Sequence, residues 1–359
     1  MNRLIVLVSL LSFGLAGFSQ TYEFHTIKES EATPVISQDF TGACWSFGTT
    51  SFLESEIIKA TGKKTDLSEM FTVRNIYLDK AEYYIQNNGK FRFGEGGLSH
   101  DVINSIRKYG ILAQSDYTGK TNPNSKYNHE MMRSELLSVL KKAVSKKPEN
   151  YPNWKTDYTA ILDRYMGKIT SEPKDFLAET KLNLDDYISL TSFTNAPFYS
   201  KFVLDIPDNF ARGEFYNLPL DEFIQNIDSA LDKGYTLSFS MDRSEATFSE
   251  ELGIAVIPNN EKDSKTILKE IRPEKKITQK FRQTEFENQN TTDDHLMQIV
   301  GKVADQKGNH YYKVKNSWGD HVGKNGYYFI SVPYMQLKTI CVMVNKNGLT
   351  EKTKADLRL

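Results

Sequence analysis

The chain has 359 residues, 39% hydrophobic and 12% aromatic, which is enough to bury a substantial core in two lobes or domains and excludes a disordered polypeptide. Lys+Arg 45 against Asp+Glu 46 gives a formal net charge of -1, so nothing in the overall charge favours nucleic acid or an anionic membrane surface as partner. The two cysteines form no Cys-x-x-Cys, and no pair among the six histidines has zinc-ligand spacing; no metal site and no cofactor are expected.

The chain opens on a targeting pattern. Arg3 supplies a positive start, Leu4 to Leu15 an apolar run, and Gly17-Phe18-Ser19 places small residues at −3 and −1 of a cleavage site before Gln20. The run is short for a bilayer span. The expectation is a signal peptide over 1–19 and an exported protein, periplasmic or secreted, with no stable membrane span after cleavage.

Helical patterns come next. Phe47, Phe52, Ile57 and Ile58 make the buried side of a helix from Cys44 to about Thr61, stopped by Gly62. A second helix is expected from Ser68 to about Gln86, and a third from Ser99, as N-cap, to Gly110. Glu135 to Val144 and Tyr158 to Met166 continue the pattern in 128–215, with Pro152, Pro173 and Pro197 between segments. This region matches no motif and reads as a helical insert that covers or extends a cleft.

After a helix from Asp221 to Lys233, closed by Gly234, the period changes to two. Strands are expected at Tyr235 to Met241, Leu296 to Val303, His310 to Asn316, Gly326 to Val332 and Thr339 to Val344. Between them, Glu261 to Arg282 holds eight Lys/Arg and four Asp/Glu and reads as a solvated loop or helix face. The fold class is therefore α+β with segregated elements: a helical lobe over 20–215, a β-rich lobe over 216–345, and a polar C-terminal tail over 346–359.

The two cysteines sit in different surroundings. Cys341 lies in the β-branched run Thr339 to Val344 and reads as a small buried hydrophobe rather than a disulfide partner of Cys44. Cys44 stands at a helix start beside Trp45, where unpaired N–H groups favour a thiolate. A thiolate attacking a carbonyl needs an imidazole to protonate the leaving amine and a side chain to orient that imidazole. His295 and Asn316 lie on two adjacent strands joined by the turn Asp305 to Asn309, so a hairpin brings them together. Gln38 supplies a side-chain N–H and Cys44 its backbone N–H as donors to an oxyanion.

Gln38-x5-Cys44-Trp45, His295, Asn316-Ser317-Trp318-Gly319 and Gly323-x2-Gly326-Tyr327 together resemble the papain superfamily of cysteine peptidases. Thr41 to Trp45, Leu67 to Met70, Gly96-Gly97 and Val314 to Trp318 are most similar to its bleomycin hydrolase and aminopeptidase C branch. The resemblance implies a papain-like fold with the cleft between its lobes and peptide or protein substrates cleaved through a thioester acyl-enzyme. It implies Cys44 as nucleophile, His295 as acid/base, Asn316 as its orienter and Gln38 as oxyanion donor. Trp318 would shield the His295–Asn316 bond, and Gly96 and Gly97 would pair with the substrate backbone. Separately, these residues have ordinary readings: a turn for the glycines, a core aromatic for Trp318, a structural histidine for His295.

Only Gln20 to Ser37 lie between the cleavage site and Gln38, too few for a long inhibitory propeptide. In the resembled branch the C-terminus lies in the cleft and limits cleavage to terminal residues. The tail Asn345 to Leu359 is accordingly expected to narrow the cleft and favour aminopeptidase action. An endopeptidase, an acyl or peptidyl transferase, and a catalytically dead papain-like binding protein are the alternatives, and the oligomeric state is open.

Overall fold

The computed structural model describes residues 22–173 and 176–359; the expected signal peptide lies outside them. After strand β1 (Phe24–Glu29) come five helices, α1 (Cys44–Thr61), α2 (Glu69–Gln86), α3 (Ser99–Tyr109), α4 (Glu130–Lys146) and α5 (Trp154–Met166), and a single turn, α6 (Phe176–Thr180). Strands β2 (Tyr187–Thr191), β3 (Lys201–Val203) and β4 (Glu214–Asn217) precede α7 (Leu220–Asp232), and β5 (Leu237–Met241), β6 (Phe248–Ser249) and β7 (Ile254–Ala255) follow it. The chain closes with α8 (Gln279–Glu287), β8 (His295–Asp305), β9 (His310–Lys315), β10 (Tyr327–Ser331), α9 (Val332–Lys338), β11 (Thr339–Asn345) and α10 (Glu351–Leu357).

The strands form one sheet in the order β3-β4-β2-β11-β5-β8-β9-β10-β7-β6, with β1 paired to β8. The expected helices and late strands are present. Three differences stand out. The sheet draws β1 through β4 from the stretch read as a helical lobe, so part of 128–215 is sheet rather than helical insert. Ser99 is not the cap of α3: Leu98 occupies that position, its N–H donates to Asp101 Oδ2 at 2.8 Å, and the Ser99 hydroxyl is used across the lobes on Ser238. Within the mixed-charge stretch, Arg282 is fully buried rather than solvated, donating to the backbone carbonyls of Ser192, Gln336 and Thr339, with Phe193 under its guanidinium.

Two cores lie on opposite faces of the sheet. In the helical one, α1 to α5 pack Trp45, Phe52, Met70, Leu136 and Leu162 together, reaching Leu296 of β8 and Met343 of β11. The other gathers Phe239, Met297, Ile299, Val342 and Val344 under Phe223, Ile227 and Leu231 of α7. Alternate residues of one strand serve the two cores because successive side chains point to opposite faces. Helices α1 and α7 thus lie on opposite faces of the sheet.

Gly48 sets how closely α1 approaches. A Cβ there would stand 2.7 Å from Leu296 Cδ2 and 3.1 Å from both the Leu296 carbonyl oxygen and Met297 Cα; only glycine lets helix and strand backbones come this near. One helical turn separates Gly48 from Cys44, so both face β8.

The tail does not enter the cleft. Residues 346–359 turn back as α10 along α7, with Leu349 and Leu357 buried in the sheet core, Asn226 donating to Thr353 Oγ1 at 2.8 Å and Lys352 paired with Glu222 at 2.9 Å. Thr350 caps the helix through the Thr353 N–H. The sequence read this segment as polar, but Leu349 and Leu357 at opposite ends suffice to dock it, which overturns the expected gate.

Candidate active site

Cys44 begins α1, where its own N–H has no intrahelical acceptor. It is half-buried and free, as is buried Cys341. The Leu296 amide, directly after His295, and the Trp45 amide both donate toward its sulfur and favour the thiolate, but burial dominates and pushes the thiol up to about 12, with the charges of Asp208 and Asp293 adding to the rise.

His295 starts β8 and is 4% exposed. A bulge makes its placement possible. Along the far half of the hairpin Gly301 pairs with Lys313, whereas near the site Ile299 pairs with Val314 and Gln298 with Lys315. That one-residue shift re-aims every side chain beyond it. Continued along the strands, it sets Trp318 opposite His295, and the two rings stack with centroids 4.5 Å apart and an interplanar angle of 25°. Asp305 forms the turn, accepting from the Lys307 and Asn309 amides at 2.9 Å each.

Asn316 Oδ1 lies 2.8 Å from His295 Nε2 and accepts from it. The same oxygen takes the Ser317 amide at 2.8 Å, while the Asn316 amide donates to the Gly326 carbonyl. With Nε2 engaged, Nδ1 is the ring nitrogen left for the thiol. Burial lowers His295 to about 4, against the Asn316 bond, which favours the protonated ring. Isolated charge is thus disfavoured on both groups. Proton transfer from sulfur to ring creates the two charges together, where their attraction offsets the burial cost.

Gln38 is fixed from both ends. Its Oε1 accepts from Ser317 Oγ at 2.6 Å and its Nε2 donates to the Thr41 carbonyl at 2.7 Å, leaving the second Nε2 hydrogen and the Cys44 amide as a donor pair. An isolated bridge between Ser37 and Trp318 joins this segment to the histidine side.

The glycine segment forms the facing wall. Trp45 Nε1 donates to the Glu95 carbonyl at 2.9 Å; buried Lys80 donates to the carbonyls of Gly94 and Gly96. Gly97 is buried under the Trp45 indole rather than open to the cleft. Gly96 borders a cavity of about 350 Å³, lined also by Gly42, Asp208 and Asp293, and the Asp208 carboxylate rests directly on its α-carbon. The sequence reading missed Glu95, whose Oε2 accepts from the Gly42 amide at 2.5 Å and Thr41 Oγ1 at 3.1 Å, and Asp208 altogether. Glu95 stands next to the glycine pair that marks the segment; nothing around Asp208 marks it.

Comparisons with known proteins bear on the family and the fold. The family model described as Peptidase C1-like matches residues 98–358. The chain belongs to that family. A model of the papain family cysteine proteases matches residues 19–165. Among curated relatives, aminopeptidase C of Listeria innocua serovar 6a is 23% identical, with 92% of this chain and 83% of that protein covered. The mitochondrial cysteine proteinase 1 of Saccharomyces cerevisiae is 20% identical over 92% of this chain and 78% of its own. The crystal structure of PepW from Lactobacillus rhamnosis superposes with a TM-score of 0.74 at 19% identity, over 93% of this chain and 84% of that one. The protein is a papain-like cysteine peptidase with an α+β fold, and its substrates are peptides. Among the described residues no helix is long and apolar enough to cross a membrane.

Proposed function

We propose that this peptidase is a cysteine aminopeptidase of the bleomycin hydrolase type, removing residues from the amino end of peptides through a thioester on Cys44. The observation that carries the mechanism is the 2.8 Å bond between His295 Nε2 and Asn316 Oδ1 at the strand position just before Leu296, whose amide faces the Cys44 sulfur, with Gln38 braced through Ser317. The relatives named aminopeptidase C supply the exopeptidase part of the reading.

In the first half-reaction Cys44 Sγ gives its proton to His295 Nδ1 and attacks the scissile carbonyl. The tetrahedral oxyanion is held by the Cys44 amide and the free Gln38 Nε2 hydrogen. His295 then protonates the leaving amine as the carbon–nitrogen bond breaks, and the thioester remains. In the second, His295 takes a proton from water, which attacks the thioester and releases the acid and the thiol. Asn316 keeps Nδ1 aimed at the sulfur, and Trp318 covers the His295–Asn316 bond from solvent. These roles for Cys44, His295, Asn316, Gln38 and Trp318 are part of the proposal, as is a contribution of Gly96 backbone to substrate contact.

The test compares an aminoacyl nitroanilide with its N-acetylated counterpart and with an internally quenched, N-acetylated peptide. Turnover of the free-amine substrate at more than about ten times the rate of either blocked one supports the reading; equal or better cleavage of the blocked peptide replaces it with an endopeptidase. Export of the chain, with a mature end at or near Gln20, is proposed from the pattern of Arg3 to Ser19. N-terminal sequencing of the native protein checks it, and an intact Met1 would overturn it.

A further inference from the structure

An enzyme that removes first residues must bind a cation. The α-nitrogen of the first residue lies two bonds from the carbonyl carbon under attack, about 2.5 Å away, so whatever holds its ammonium must stand beside the nucleophile. In this chain the terminal carboxylate of Leu359 is not that group, because α10 docks on α7, across the sheet from α1.

Two carboxylates are available in the cavity that opens at Gly42, two residues before the nucleophile. Asp208 and Asp293 both line the cavity next to Gly42 and Gly96, and both are close enough to Cys44 for their charges to raise its thiol. Burial raises Asp293 to about 7, and the charge of Asp208 adds to that rise. Asp293 donates nothing and accepts from Ser240 through Oδ1, while its Oδ2 is enclosed and has no hydrogen-bond partner. An enclosed carboxylate oxygen without a donor is costly unless a ligand supplies one.

Burial raises Asp208, and the charges of nearby Lys80 and Arg92 oppose that rise without an ion pair to its carboxylate. Arg133 faces Glu95 at 3.6 Å, Lys80 is committed to the Gly94 and Gly96 carbonyls, and Arg92 is exposed at the rim. Among the described residues neither Asp208 nor Asp293 forms an ion pair. Asp208 is nonetheless held in place, because buried Asn209 staples the loop that carries it by donating to the Leu204 and Gly213 carbonyls and accepting the Gly213 amide. Its carboxylate also covers Gly96, whose backbone the proposed function sets against the substrate.

We propose that Asp208 and Asp293 form the subsite that receives the free α-ammonium of the substrate, and that Asp208, by covering Gly96, turns away chains that continue past it. The same side chain selects by attraction and by exclusion. An N-acylated substrate loses the charge-assisted hydrogen bonds and meets the carboxylate as a barrier. This deepens the aminopeptidase reading and rests on it.

The experiment measures kcat and KM of wild type, Asp208→Asn, Asp208→Ala, Asp208→Glu and Asp293→Asn on an aminoacyl nitroanilide and on its N-acetylated counterpart. Active-site concentration is set by alkylation of Cys44 with iodoacetamide, so that only folded, competent enzyme is counted. For Asp208→Asn the free-amine KM should rise at least ten-fold with kcat within about three-fold, while the acetylated substrate is unchanged. Asp208→Ala should in addition raise turnover of the acetylated substrate, Asp293→Asn should follow Asp208→Asn, and Asp208→Glu should keep most of the free-amine preference. Equal losses on both substrates, or a preference that survives in both Asn variants, overturns the inference. If wild type itself shows no preference for the free amine, the aminopeptidase reading is what fails.

Discussion

The two walls of the cleft are built on different principles. On the β8–β9 side every functional group is neutral and hydrogen bonded in series, from Gln38 through Ser317 to Asn316 and His295, with Trp318 laid over the last link. On the facing side, Glu95, Asp208, Asp293 and Lys80 surround a glycine segment with charge. In the proposed mechanism the first wall moves a proton; Arg243, over the outer Trp318 ring, adds a charge that works with burial against protonating His295. The second takes no part in the proposed chemistry, and its charge suits it to choosing what enters. The proposal thus divides reaction and selection between the two sides of Cys44.

This division can be broken experimentally, beginning with the sulfur. Cys44→Ala should cut peptide turnover by at least about 10³-fold while circular dichroism and thermal midpoint stay near wild type; retained turnover would remove the thiol from the mechanism. On the proton-transfer wall, Asn316→Ala should lower kcat roughly 10²-fold with little change in KM, since His295 remains but loses its orientation. Gly48→Val forces α1 off β8 beneath the sulfur, and a shift of about 1 Å there should cost a comparable factor; turnover unaffected by valine would show that the close approach of helix and strand is not what aligns Cys44. On the facing wall, Glu95→Gln weakens the ties to Thr41 and the Gly42 amide and should change KM more than kcat, by about ten-fold or less. A pure kcat effect would assign Glu95 to the chemistry instead.

The smallest kinetic effect is expected from the tail. Deleting Gly348 to Leu359 exposes Leu349's surroundings and removes Leu357 from the sheet core. Burial of such side chains is worth about 1.5–3 kcal/mol each, so the thermal midpoint should fall by several degrees. The ratio of free-amine to N-acetylated turnover should stay the same, and a changed ratio would restore the tail to substrate selection.

How much the sequence disclosed follows the same divide. His295 and Asn316 are legible because a hairpin joins them and because Asn316-Ser317-Trp318 is contiguous. Cys44 is legible because a helix start has a pattern. The bulge that sets the register between Ile299 and Gly301 left no such mark, although it decides which way His295 points. Asp208 sits in an irregular loop between β3 and β4, positioned by the Asn209 staple, and reaches Gly96 only through tertiary folding. β1 escaped notice because five of its six residues are exposed, so it lacks the apolar alternation of a half-buried strand. Arg282 shows the opposite failure. Its charge argued for solvent, but four backbone carbonyl acceptors and two aromatic rings satisfy it inside.

β1 has a further consequence for how the enzyme can be attached to anything. It enters the sheet at the hairpin turn, with Phe24 beside Asp305, and runs toward Gly301. His295 stands at the other end of β8, ten residue steps from Asp305, or about 33 Å at roughly 3.3 Å per residue. A tether fused ahead of Tyr22 therefore leaves the molecule from the pole opposite the cleft. Immobilised through that end on a bead or a surface, the peptidase would present its mouth outward to arriving peptides.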